Sequence, residues 1–201
     1  MITKPNGYDE APAYTGETMQ LPAGCYVCKI LGVKQDQYNE YDRFIMQFDI
    51  DEGEHKGFYQ KQYSQMRQTD PNFKYKGEHR QNMDGPGLPF FKGLITSIEK
   101  SNAGFVFPFG QQGNEKTLVG KRFGAVMGRE EFLTSDGKKR MATKIVQIRS
   151  VEGLKDAKVP EDKLLGENAG AAAPTTPQYE PADKDGFVNI PDGIDEELPF
   201  M

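Results

Sequence analysis

The sequence predicts a mainly β domain of five strands, with one helix between the third and the fourth, followed by a long polar tail. Three observations carry this reading. Apolar residues alternate at period two in the stretch 41–50, and several neighbouring stretches are rich in strand-forming types. One segment, residues 89–102, repeats its apolar positions at helical spacing instead. Past Val151 the chain becomes poor in apolar residues and rich in Gly, Ala, Pro and acid.

Residues 1–20 are polar and interrupted by prolines, and read as a flexible arm. The folded domain spans 21–152. Its first strand lies in 23–34, and the polar run 35–40 is a turn. In the second strand, 41–50, Phe44, Met46, Phe48 and Ile50 face one way, and Arg43, Ile45, Gln47 and Asp49 the other. The turn 51–57 leads to a third strand, 58–65, and residues 66–87 read as irregular. The helix follows, with Phe90, Phe91, Leu94, Ile95 and Ile98 on one side. Pro89 suits its first turn, and Ser101-Asn102-Ala103-Gly104 supplies a stop. After a packing loop with Phe105, Phe107 and Phe109 come two strands, 118–132 and 140–151, joined by a hairpin signal at 134–139. The order β-β-β-α-β-β matches an OB-fold, a five-stranded, partly open Greek-key barrel that binds oligonucleotides or oligosaccharides. A generic α+β sandwich has the same inventory.

Composition sets the scale of the core. Of 201 residues 36% are hydrophobic, and 22 Gly and 13 Pro add loop and tail; a fully globular chain holds about 45–50% apolar residues. Residues 153–186 read as a flexible linker and 187–201 as an acidic tail. Residues 151–201 carry 12 acidic and 4 basic side chains, a net of −8, so residues 1–150 carry +3 within the total of −5. A mildly basic body is thus joined to an acidic end, and a polyanion meets the local surface rather than the average. No run approaches the roughly 18 apolar residues of a membrane span, and the N-terminus lacks the apolar stretch of a signal peptide, so the expectation is the cytoplasm. Cys25 and Cys28 sit three apart on one strand, which turns their thiols to opposite faces, and no His or Cys cluster completes a metal site. No metal or other cofactor is expected.

The tail ends Asp195-Glu196-Glu197-Leu198-Pro199-Phe200-Met201. Carboxylates leading into a rigid proline and an aromatic anchor fit a docking peptide. This end resembles the acidic C-terminal tip of bacterial and phage single-stranded DNA-binding proteins, which join an OB-fold to a linker and an Asp/Glu-rich end finishing in Pro-Phe. The resemblance implies single-stranded DNA as ligand and a bacterial host cytoplasm. It also implies that Asp195, Glu196, Glu197, Leu198, Pro199 and Phe200 recruit replication, recombination and repair proteins. Met201 is a departure, because in that family the terminal carboxylate belongs to the phenylalanine. The body is most similar to the divergent versions carried by phages and mobile elements, through Leu88-Pro89-Phe90-Phe91-Lys92-Gly93 and Leu118-Val119-Gly120-Lys121.

Sequence-tolerant binding of a single strand needs cations for phosphates and flat faces for bases. Tyr59, Lys61 and Tyr63 of the third strand share a face by period two, with Arg43 of the second strand beside them. The long segment that follows interleaves Arg67, Phe73, Lys74, Tyr75, Lys76, His79 and Arg80, and a loop of that length is usually functional or disordered. The hairpin residues Lys138, Lys139 and Arg140, with Lys121, Arg122, Arg129, Lys144 and Arg149, are candidates for an opposite wall. A homo-oligomer is compatible with this layout.

Two other functions fit parts of the sequence. Asp49, Asp51, Glu52, Glu54 and His55 cluster in one turn, and such a set can hold Mg²⁺ or Mn²⁺ for phosphodiester cleavage. Clustered acids at a tight turn are normally solvated, however, and no nucleophile–base set accompanies them, so no enzymatic activity is expected. A barrel that serves a replication or recombination complex as a protein adaptor, without touching DNA, is the remaining alternative.

Overall fold

Strands β1 (Gly24–Tyr38) and β2 (Tyr41–Ile50) form a long antiparallel hairpin in the computed structural model, which describes residues 1–9, 19–134 and 137–165. Asn39 and Glu40 close it, both at positive φ (53° and 66°), as a tight two-residue hairpin turn requires. The β2 alternation is realised: Phe44, Met46, Phe48 and Ile50 all enter the core.

The predicted third strand is instead a helix, α1 (Phe58–Thr69). Gln60, Gln62, Gln65, Gln68 and Lys61 are good helix formers, and Phe58 and Tyr59 anchor its first turn in the core. The N-cap residue, Gly57, offers no side chain to the first amides. Asp49 does so from β2: its Oδ1 accepts from the Tyr59 amide at 3.0 Å and its Oδ2 from the Gln60 amide at 2.9 Å. A carboxylate against a helix N-terminus satisfies orphan donors and meets the positive end of the dipole.

The segment 66–87, read as irregular, holds the end of α1, a loop, and the short edge strand β3 (Glu78–Asn82), which pairs antiparallel with β2. A one-turn 3₁₀ segment, Gly85–Gly87, leads into α2 (Leu88–Ser101). This is the predicted helix, and it buries Phe91, Leu94, Ile95 and Ile98. Strands β4 (Arg122–Leu133) and β5 (Lys139–Arg149) complete the fold as an antiparallel hairpin.

The five strands form one antiparallel sheet in the order β3-β2-β1-β4-β5. β1 serves both halves: Cys28 to Tyr38 pair with β2, and Gly24 to Lys29 pair with β4. An irregularity between Ile30 and Gly32 shifts its register on β2, and a bulge of this kind bends and twists a strand. The sheet is open, with β3 and β5 as its two edges. Helix α2 packs against β3, β4 and β5, and so covers the core on the side of the gap. Cys28 is buried and Cys25 exposed, on opposite faces as expected.

Residues 153–165, which composition assigns to the start of a linker, run back over the outer side of β4. Gly124 and Gly128 make room for them. A Cβ on Gly124 would stand 2.7 Å from Leu154 Cγ, and one on Gly128 2.9 Å from Pro160 Cγ. The Lys163 amide donates to the Arg129 carbonyl at 2.9 Å, and the Glu131 amide to the Lys163 carbonyl at 2.8 Å. Arg129 and Asp162 form an ion pair beside them. This strap buries Val126 on the outer face while Ala125 and Met127 face the core. Among the described residues, no helix is long and apolar enough to cross a membrane.

Candidate nucleic-acid interface

The hairpin register decides what the outer face of β1, β2 and β3 presents. Directly opposed residues share a face, and the register pairs Tyr38 with Tyr41, Asp36 with Arg43, Lys34 with Ile45, Arg43 with Asn82 and Ile45 with Arg80. One face therefore carries two exposed tyrosine rings and three cations. Arg43 donates from Nε and Nη2 to the two carboxylate oxygens of Asp36, both at 2.9 Å. Its guanidinium also lies 4.5 Å from the centre of the Tyr38 ring. The Arg43 hydrogen bonds hold the Asp36 carboxyl below the usual carboxylate range, with Lys34 and Arg80 adding to the effect. Arg80 is in turn paired to Glu78 at 2.8 Å. Acids thus offset much of the positive charge, and rings and oriented guanidinium groups are the main offering. Arg43 and Arg80 were legible as candidates; Lys34, Tyr38 and Tyr41 were not, because residues 35–40 read as a turn. A two-residue turn at Asn39-Glu40, which would pair Tyr38 with Tyr41, is the signal that could have found them.

A second aromatic and cationic group stands where the chain leaves α1 and approaches β3. The Tyr63 and Tyr75 rings meet edge to face at 5.7 Å. Arg67 donates from Nη1 to the Tyr63 hydroxyl at 3.2 Å and lies 5.6 Å from its ring centre. Lys76 sits 5.6 Å from the Phe73 ring centre, and Lys74 is exposed beside it. Tyr75 is also structural: its hydroxyl donates to the Phe48 carbonyl at 3.0 Å, and burial pushes the phenol well above its usual range. Along β2, Phe48 and Tyr41 are seven residues apart, about 23 Å at a strand rise of ~3.3 Å. The two aromatic groups therefore occupy opposite ends of the β2–β3 ladder.

Two parts of the expected face do not form. Because 58–65 is helical, Tyr59, Lys61 and Tyr63 do not line up: Lys61 lies about 200° round the helix from Tyr59, and Arg43 is on the sheet. Tyr59 is 7% exposed and packs against Phe48, Phe58 and Tyr75, with its hydroxyl 3.7 Å from Met127 Sδ. Its ring has no face left for a base. The wall from the β4–β5 hairpin is likewise engaged. Lys139 reaches Glu131 at 3.4 Å, Lys144 reaches Glu130 at 3.9 Å, Arg129 holds Asp162, and Arg122 holds Asp51 and Glu52. Lys121 lies 4.3 Å from the Phe105 ring centre. Lys138 and Arg140 are exposed at the hairpin end. Arg149 lies at the far end of β5, beside α2.

The acidic turn also has structural work. Asp49 is buried and accepts from three amides, those of Ile50, Tyr59 and Gln60. Asp51 and Glu52 grip Arg122. Among the described residues, no group of three or more His, Cys, Asp or Glu side chains is placed to hold a metal ion. Residues Asp195, Glu196, Glu197, Leu198, Pro199 and Phe200, expected from the resemblance to recruit partner proteins, lie outside the described residues. The chain matches no protein-family model and no curated protein.

Proposed function

We propose that this protein binds single-stranded DNA without strong sequence preference, in bacterial or phage replication, recombination or repair. The carrying observation is the outer face of β1–β2–β3, where Tyr38 and Tyr41 stand beside Arg43, Lys34 and Arg80. Flat rings accept any base, and guanidinium groups accept phosphates or stack. The fold reading behind the proposal is an OB-fold opened between β3 and β5. The order β3-β2-β1-β4-β5, with α2 between β3 and β4, supports it, since only the β3–β5 pairing is missing from the barrel. The acidic end, Asp195 to Phe200, is the partner-recruiting element in this reading, resting on its likeness to the single-stranded DNA-binding protein tip.

The test is binding to oligo-dT across a range of salt. Affinity should fall linearly in log–log form, by about 0.7 per phosphate neutralised. Absence of binding at low salt would refute the proposal and favour the protein adaptor. Deleting residues 192–201 should leave oligo-dT affinity equal or slightly higher, because an anionic tail competes with nucleic acid, and should abolish pull-down of host replication or recombination proteins. A marked loss of DNA affinity on that deletion would contradict the division of labour.

A further inference from the structure

A groove of about 480 Å³ runs between α2 and β5. Lys92, Thr96, Ser97 and Lys100 line it from the helix, and Arg149 and Ser150 from the end of the strand. The amphipathic pattern of α2 creates it: the 91, 94, 95 and 98 positions go to the core, leaving the row 92, 96, 100 outside. That row is i, i+4, i+8, so the two lysines are rooted about 12 Å apart on one side of the helix. Arg149 donates from Nε to Gln147 at 3.1 Å.

The electrostatics differ from those of the outer sheet face. Among the described residues no acidic side chain lines the groove, although the whole chain holds 30 acids against 25 bases. Among the described residues no aromatic lines it either, so this lining offers nothing to stack on a base. Cations and hydroxyls without rings are the chemistry of phosphate contact, which positions a strand without reading it. The groove also lies close to the first site along the chain: Pro89 in its lining is four residues beyond Gly85, which lies against the ring of Tyr41, where a Cβ on Gly85 would stand 2.8 Å from Tyr41 Cε1.

We propose that the α2–β5 groove is a second track, taking the sugar–phosphate backbone of a single strand after it leaves Tyr38 and Tyr41. It rests on the DNA-binding function above. It extends the footprint round the open edge of the sheet and makes it longer than the tyrosine face alone would give.

The double variant K92Q/K100Q tests this in the full chain, with circular dichroism to check that the fold is kept. Oligo-dT of about 8 nucleotides, within the roughly 4–16 that one such domain covers, and of about 30 nucleotides, well beyond it, is titrated at several salt concentrations. The short oligonucleotide should bind variant and unaltered protein alike. With the long one, the variant's log–log salt slope should be shallower by about 1.4, two phosphates at ~0.7 each. An unaltered protein that binds oligo-dT with the same slope as the variant overturns the groove alone. An unaltered protein that binds no oligo-dT overturns the function and the groove together. A variant that keeps its DNA slope but loses binding of a peptide of residues 192–201 would reassign the groove to an acidic peptide.

Discussion

At Arg43 two neighbours fix one guanidinium, the Asp36 carboxylate along its edge and the Tyr38 ring across its face. Replacing Tyr38 by Ala removes a ring from an exposed position, so oligo-dT affinity should drop by about 1–3 kcal/mol with little change in Tm. Equal affinity would take Tyr38 out of the site. The Asp36–Arg43 pair also has a pH signature. Because the folded-state value of Asp36 is lowered, its stabilisation is complete above the unfolded value of about 3.9 and is lost as pH falls through the folded value. The Tm gap between the native protein and Asp36→Asn should therefore narrow below about pH 4, and a gap unchanged at pH 2 would refute it. Asp49 is the opposite kind of acid, inward and saturated. Asp49→Ala leaves three amides without their acceptor and should cost about 3 kcal/mol in urea unfolding. At this scale the sequence showed which residues have rings and charges, but not which were turned inward. Tyr59 and Tyr38 are the same residue type, and their fates separate only once α1 and the hairpin register exist.

Among the elements, β2 and α2 were legible because each carries a clean period, and α1 was not. Residues 58–65 contain an alternation at Tyr59, Lys61 and Tyr63 that mimics a strand, while Tyr59, Tyr63 and Met66 also stand at helical spacing. Two periods fit eight residues. The decision came from Asp49, ten residues earlier, whose hold on the first amides of α1 is a tertiary contact that no local window contains. β3 escaped for another reason: Glu-His-Arg-Gln-Asn has no strand preference, and only pairing with β2 makes it extended. Its entry is tight. A Cβ on Gly77 would stand 2.3 Å from the Phe48 carbonyl oxygen and 2.9 Å from Tyr59 Cγ. Gly77→Ala should therefore push β3 off β2 and lower Tm by several degrees, whereas Gly93→Ala, with open space around it, should be neutral or stabilising.

For the molecule as a whole, four of the five strands and the helix before the last two were readable in the sequence, while the third strand was expected where α1 stands. The openness of the sheet and the strap at 153–165 were not. Composition marks 153–165 as linker because it is polar, yet two of its apolar residues, Leu154 and Pro160, meet glycines of β4, which admit them closely. The strap also keeps its charges useful, pairing Asp162 and Lys163 with Arg129 and Glu130. Ending the chain at 152 should expose Val126 and lower solubility, whereas ending it at 165 should not; equal behaviour of the two would show that the strap contributes nothing.

The double service of β1 sets a schedule for the backbone. Cys28 and Lys29 are the residues whose neighbours on both sides are strands, β2 on one and β4 on the other. From Ile30 towards Tyr38 the strand pairs with β2, and from Val27 towards Gly24 with β4. In deuterium exchange the two wings can open separately, each from its own hairpin, without disturbing the other. The amides around Cys28 would then be the last to take up label, and the rate at which they do so measures the opening of the whole sheet rather than of either half.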